Sequence, residues 1–140
     1  METCKIYLSG AMSGVSWEEQ TEWRKQVAYI INDSHRKKNV DFFDPTKFYN
    51  FLEKQQKSER EIMEFDLYNL RNSDLVIANI NNQWSLGTMC ELILAKEYKI
   101  PVIGWNSCGE ELHPWLSECF TRMCDDISET VEHVIDFYLN

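Results

Sequence analysis

The residue of this chain with the most chemical potential is Glu91, a carboxylate flanked by Met89, Cys90, Leu92 and Ile93. A charged carboxyl among apolar neighbours is costly unless it is paired or used. It closes residues 79–91 (NINNQWSLGTMCE), where the apolar run 75–78 passes into a polar loop and then a helical pattern with Gly87 near its start. A strand, a polar loop and a Gly at a helix start form a ligand-binding layout. Small residues let a ligand reach the backbone, and the free N–H groups of the first turn stabilise negative charge. A second loop of small residues, 9–14 (SGAMSG), follows the stretch 5–8 (KIYL). Taken alone, a Glu at the edge of an amphipathic face snorkels to water, and that is the default reading of such a residue.

The elements that must position these loops follow from periodicity and caps. Residues 5–8 read as a first strand. Ser16 caps a helix, with Glu19 completing a capping box and Trp23, Val27, Ile30 and Ile31 on one face. Residues 33–39 are a polar, basic turn, and 40–43 (VDFF) a second strand that stops before Asp44 and Pro45. The segment 47–57 mixes aromatic and charged residues and is expected as a lid or a short helix. Ser58 with Glu61 is another capping box. It opens a helix to about Asn72 that carries Ile62, Phe65, Tyr68, Leu70 and, one face away from Ile62 and Leu70, Asp66. Residues 75–80, which carry the apolar run 75–78, read as a buried third strand.

A helix from Ser85 to near Lys99 leads to a fourth strand at 100–105. His113 and Pro114 start a short helical stretch, 121–124 form a short fifth strand, and 128–139 a last amphipathic helix. Strands alternating with helices predict a flavodoxin/Rossmann-like three-layer α/β sandwich with a mainly parallel, about five-stranded sheet. In such sheets ligands bind beyond the carboxyl ends of the strands, where the strand order reverses. In an order 2-1-3-4-5 that crevice lies between the first and third strands, and the loops 9–14 and 79–91 border it.

The 140 residues are expected as one domain, 1–140, large enough to bury about two-thirds of the unfolded surface. An apolar content of 44% with 13% aromatic residues excludes a disordered chain. The formal charge of -9 points away from nucleic acid polymers and from membrane surfaces, although a local pocket can override it for a small substrate. The cysteines at 4, 90, 108, 119 and 124 are odd in number and form no CxxC pair. With no apolar leader after Met1 and no span-length run, reduced thiols in a cytoplasmic protein are expected. Cys119, Cys124 and His113 fit no usual zinc spacing, and neither a metal nor another cofactor is expected.

With the segments placed, the chain resembles the nucleoside 2-deoxyribosyltransferase family and its nucleotide N-glycosidase relatives. Three blocks carry the likeness: 5–14 (KIYLSGAMSG), 66–78 (DLYNLRNSDLVIA) and 85–91 (SLGTMCE). It covers residues 5 to about 104, more weakly beyond, and the blocks are specific through their order and separation rather than singly. The resemblance implies that Glu91 is the nucleophile. It also implies that Asp66 handles proton transfer and sugar orientation, and that Tyr7 hydrogen-bonds the surroundings of the nucleophile. The implied substrate-binding residues are Ser9, Gly10, Met12, Ser13, Ser85, Gly87 and Thr88.

Two positions depart from the common pattern. Ser85 stands where many transferases have an Asp, and is similar to the subgroup that hydrolyses deoxynucleoside 5′-monophosphates. Met12 and Ser13 stand where that subgroup carries an Arg. The implied function is cleavage of the N-glycosidic bond of a 2′-deoxynucleoside and transfer of the sugar to another nucleobase by way of a glycosyl-Glu intermediate. The partner is thus a small-molecule nucleoside or nucleotide, and the resemblance further implies a homo-oligomer. Hydrolysis of a 5′-monophosphate is the first alternative, and a non-catalytic nucleotide-sensing α/β module the second. Taken singly, Asp66 also reads as a helix-solvating carboxylate and Tyr7 as a core tyrosine with a satisfied hydroxyl. Asp74 reads as a helix-to-strand connector, Asn79 and Asn82 as turn residues, and His113 as the entry to a helix.

Overall fold

Alternation of side chains across parallel strands organises this chain into two cores, one on each face of a sheet. The computed structural model describes residues 1–49 and 58–140. β1 (Thr3–Gly10) pairs in parallel with β2 (Asn39–Phe43) on one side and with β3 (Leu75–Ile80) on the other. β4 (Val102–Asn106) and β5 (Arg122–Cys124) continue beyond β3, giving the order β2-β1-β3-β4-β5. The connections carry α1 (Trp17–Asn32), α2 (Glu59–Arg71), α3 (Leu86–Glu97), α4 (Pro114–Ser117) and α5 (Ile127–His133). This is the expected three-layer α/β sandwich, parallel at each pairing among the described residues.

On one face Cys4, Ile6 and Leu8 of β1 pack with Trp23, Val27 and Ile31 of α1 and Val131 of α5. On the other, Val76, Ala78 and Ile80 of β3 pack with Tyr7, Leu70 of α2, and Leu92 and Ala95 of α3. Each fully buried Leu or Ile contributes about 1.5–3 kcal/mol by removal from water. The sheet interior is tight enough to require glycine at one position. A Cβ on Gly104, paired with Ala78, would press on the Ala78 carbonyl and lie 2.9 Å from a Phe120 ring carbon.

The caps form as their residues predict. Ser16 accepts from the Glu19 N–H at 3.1 Å, and Ser58 from the Glu61 N–H at 3.2 Å. In the first, Glu19 returns to the Ser16 hydroxyl, at 3.3 Å, rather than to a backbone N–H. Asp74 connects α2 to β3 by accepting from the Lys5 N–H at 2.9 Å, and His113 caps α4 through Nδ1, which accepts from the Trp115 N–H at 3.1 Å.

Several expected boundaries differ, and the first strand runs Thr3–Gly10 rather than over 5–8, so that Ser9 and Gly10 belong to it and not to the loop. The fourth strand starts at Val102 rather than at residue 100, because Lys99 turns left-handed (φ 59°) and the Ile100 N–H returns to the Ala95 carbonyl at 2.9 Å to close α3. The helix expected over 128–139 is α-helical only through α5, and Val134–Tyr138 is a wider π turn. The wider turn carries Leu139 into the core, where its carbonyl accepts from the Lys37 and Lys38 N–H groups at 2.9 and 3.1 Å. Of the expected lid or short helix over 47–57, Pro45–Lys47 is a single 3-10 turn, and residues 50–57 lie outside the described residues. Among the described residues no helix is long and apolar enough to cross a membrane.

Candidate active site

Strand period places two hydroxyls behind one carboxylate. Tyr7 and Ser9 are two residues apart on β1, so both point from the sheet toward α3. On α3, Thr88, Leu92 and Ala95 are buried, and Glu91 falls on the same inward stripe. The Tyr7 hydroxyl donates to Glu91 Oε2, and the Ser9 hydroxyl donates to Glu91 Oε1 at 3.0 Å. Both oxygens are thereby held from beneath, and the snorkelling alternative for Glu91 does not describe it. Tyr7 is stacked on Phe43 with ring centroids 5.1 Å apart, and Phe43 on Phe48 at the same distance. That aromatic column fixes the phenol and keeps water from it.

Asp66 lies between Ile62 and Leu70 at helical spacing, and those two are the buried residues of α2. It therefore shares their inward stripe rather than standing one face away. Tyr49 hydrogen-bonds it, while Asp66 Oδ1 is buried with no hydrogen-bond partner among the described residues. A cavity of about 480 Å³ opens between α2, α3 and the loop after β1, and both Asp66 and Glu91 line it. That volume is within the range of about 300–1,000 Å³ usual for small-molecule sites.

The two carboxyls are electrostatically unlike. Burial, then the Glu91 charge, push Asp66 from the usual 3.8 to about 7, against the pull of the Tyr49 hydrogen bond and of Arg24. Burial also pushes Glu91 up, but the hydrogen bonds from Tyr7 and Ser9 and the charge of Arg24 oppose it. With both oxygens accepting hydrogen bonds, Glu91 is the better place for the shared negative charge. Asp66, with an oxygen left over, is the better place for the proton near neutrality. Burial and the two carboxyl charges hold the Tyr7 phenol well above its ordinary range, so it remains a donor.

The other expected site residues divide into lining and support. Gly10, Met12, Ser13, Ser85, Gly87 and Thr88 line the cavity. Ser9 does not line it; it is fully buried and its hydroxyl is committed to Glu91. Gly10 is required for packing, since a Cβ there would lie 2.8 Å from the Trp23 ring, whereas at Gly87 it would meet only open space. Ser85 is the N-cap of α3 and accepts from the Thr88 N–H at 3.4 Å and from its hydroxyl at 3.1 Å. Asn82 forms the turn expected of it by accepting from the Trp84 N–H at 3.0 Å, and Asn79 instead accepts from the Ser107 hydroxyl at 2.6 Å.

Residues with no place in the sequence reading complete the site. Asn81 Oδ1 accepts from the Ala11 N–H at 3.0 Å and so ties the two bordering loops together. Tyr49 reaches Asp66 from the segment after β2. Arg24 is 1% exposed, and its signal was available. Gln20, Arg24, Val27 and Ile31 form an inward stripe at helical spacing, and a cation on such a stripe is buried.

Comparison with known proteins follows this geometry. The profile of the nucleoside 2-deoxyribosyltransferase family matches residues 6–134. Sequence comparison with curated proteins gives no match. A conserved protein from Enterococcus faecalis V583 superposes with a TM-score of 0.75 at 15% identity, covering 94% of this chain and 97% of that one. The 2-deoxyribosyltransferase of Bacillus psychrosaccharolyticus gives 0.67 at 17% identity, over 89% and 88% of the two chains. The CMP N-glycosidase BcmB of Clostridium botulinum gives 0.59 at 15% identity, over 96% and 99%. At these identities the three structures establish likeness of fold.

Proposed function

The chain belongs to the nucleoside 2-deoxyribosyltransferase family, and from that premise we propose that it cleaves the N-glycosidic bond of 2′-deoxynucleosides and transfers the deoxyribosyl group to a second nucleobase through Glu91. The observation that carries this reading is the pair of unlike carboxyls on one cavity wall. Glu91 accepts from two hydroxyls, which favours its charged form against the burial that raises it, and burial with the Glu91 charge raises Asp66 to about 7. In the first step a Glu91 oxygen bonds to the anomeric carbon as the bond to the base nitrogen breaks, and Asp66 gives its proton to the departing base. The developing positive charge on the sugar is stabilised by the carboxylate beside it. In the second step a nitrogen of the incoming base displaces Glu91 and returns a proton to Asp66. Water in place of that base makes the same site a hydrolase.

Free nucleoside is favoured over 5′-monophosphate by the charge of the wall. Among the described residues lining the cavity none is Lys or Arg, and Glu59 adds a negative charge. A phosphate dianion would have to rely on Ser13, Ser85 and backbone N–H groups, which offset part of its desolvation. Hydrolysis of the monophosphate is the second reading, resting on Ser85 at the start of α3. The expected result is a kcat/KM higher for a deoxynucleoside than for its 5′-monophosphate. Ser85→Ala should affect both alike and lower stability by about 1 kcal/mol through the lost cap. A monophosphate preference above about tenfold that Ser85→Ala erases would establish the hydrolase instead.

A homo-oligomer is the working form we expect in solution. Trp84 and Leu86, at the rim of the cavity, are 69% and 78% exposed, and Ile93, farther along α3, is 38% exposed. Such an apolar surface is normally covered. Sedimentation should give a mass above that of one chain, and a monomer with full activity at micromolar concentration contradicts the expectation.

A further inference from the structure

We propose that Arg24 is the positioning residue of this site: it clamps the end of β1 around Ser9 and supplies a buried cation behind Glu91, so that Glu91 meets the substrate as a carboxylate in one pose. The proposal rests on the reading of Glu91 as the nucleophile.

The need for Arg24 arises from the sheet. Pairing of β1 with β2 ends at Tyr7 and Phe43, whereas pairing with β3 runs on to Gly10 and Asn79. β2 turns away at Asp44, and Pro45 has no N–H to offer. The last residues of β1 are thus left with a strand on one side only. Arg24 occupies the other side: Nε donates to the Leu8 carbonyl at 3.3 Å and Nη2 to the Gly10 carbonyl at 3.1 Å. Those two carbonyls bracket Ser9, whose hydroxyl holds Glu91 Oε1. The third arm, Nη1, donates to the Gln20 carbonyl at 2.6 Å, and the guanidinium lies 4.6 Å from the centre of the Trp23 ring.

A cation this deeply buried costs several kcal/mol in desolvation unless anions compensate. One is Asp44, whose Oδ1 is 3.8 Å from Nε. That oxygen is also shared with the Thr46 N–H at 2.9 Å and the Thr46 hydroxyl at 2.6 Å, so Asp44 compensates in part. The rest of the compensation comes from the site itself. Among the described residues, the groups facing Arg24 are Asp44 after β2, Glu91 on α3, Tyr7 on β1 and Asp66 on α2. Those facing Glu91 are Tyr7, Asp66 and Arg24. Among these described groups Arg24 is the cation, and the others are acids. A side chain that merely tied off the strand end would need donors and no charge.

The two roles separate in a pH profile. We would measure kcat and kcat/KM against pH on a deoxynucleoside for the full chain, Arg24→Gln, Arg24→Lys, Asp44→Asn and Glu91→Gln. Arg24→Gln should move the acid limb up by at least about half a pH unit, as loss of a nearby opposite charge does, and lower kcat more than it alters KM. Arg24→Lys should leave the limb in place, since the charge is kept. Asp44→Asn should move it down, because the cation then acts on Glu91 without its other anion. If Arg24→Gln fails to fold, the direction of the Asp44→Asn limb decides. Limbs that stay with the unaltered protein in both variants overturn the role of Arg24. If Glu91→Gln turns over normally, the nucleophile reading falls first and this proposal with it.

Discussion

Glu91→Ala is expected to lower turnover at least about a thousandfold, the scale of losing an essential nucleophile, without loss of the fold. The variant relieves the burial of a carboxylate but leaves the Tyr7 and Ser9 hydroxyls without their acceptor and Arg24 with one anion fewer, so it should still unfold cooperatively, at a Tm below that of the unaltered protein. Acid-quenched protein incubated with a slow deoxynucleoside substrate should gain the mass of one deoxyribosyl unit, and Glu91→Ala should gain none. Near-normal rates in the variant, or a mass gain that persists without Glu91, would remove the covalent route. The donors make the expectation sharp: the Tyr7 and Ser9 hydroxyls both end on this one carboxylate, and no shift of a neighbour replaces it.

Asp66→Asn should cost about a hundredfold to ten-thousandfold in rate, the usual worth of a placed general acid, and should also change two pH dependences. With Asp66 titrating at about 7, kcat/KM of the unaltered protein should fall above neutral pH as the acid loses its proton. In the variant that limb should vanish. Stability should respond in the opposite sense. A carboxyl whose pKa in the folded chain, about 7, exceeds its ordinary 3.8 destabilises the fold progressively as pH rises through that window. The amide does not titrate, so Asp66→Asn should melt higher than the unaltered protein at pH 8, an advantage that disappears below about pH 4. A variant that melts lower at every pH, with its rate loss matched by unfolding, would make Asp66 a structural residue.

Much of this arrangement is legible in the sequence, for identifiable reasons. The buried third strand is legible residue for residue because the apolar run 75–78 with Ile80, bounded by polar loops, has few other uses. The caps of α1 and α2 are legible because Ser16 and Ser58 each precede a periodic segment with a Glu three residues on, whereas Ser85 is legible only as the start of a helix. The crevice between β1 and β3 followed from topology, since a parallel sheet in this order opens there. What escaped was long-range. Nothing local says that Arg24 faces the end of β1, because the reason lies in where β2 stops pairing. Nor does composition show that Ser9 supports Glu91 from behind instead of lining the cavity, a matter of which strand face meets which helix. The last helix departs from its amphipathic period because the π turn at Val134–Tyr138 answers to the burial of Leu139.

The two cores described above also divide the labour of change. The donors and carboxyls of the site, Tyr7, Ser9, Asp66 and Glu91, lie on the α2/α3 face of the sheet. The core of Ile6, Leu8, Val27, Ile31, Val131 and Val134 lies on the other face. Sequence drift or deliberate repacking on the α1/α5 side can therefore alter how long the protein survives heat without altering what it does. The exception is the guanidinium that crosses from α1 to the end of β1. Evolution can treat one half of this molecule as a replaceable chassis, provided the single bolt that passes through the sheet is left in place.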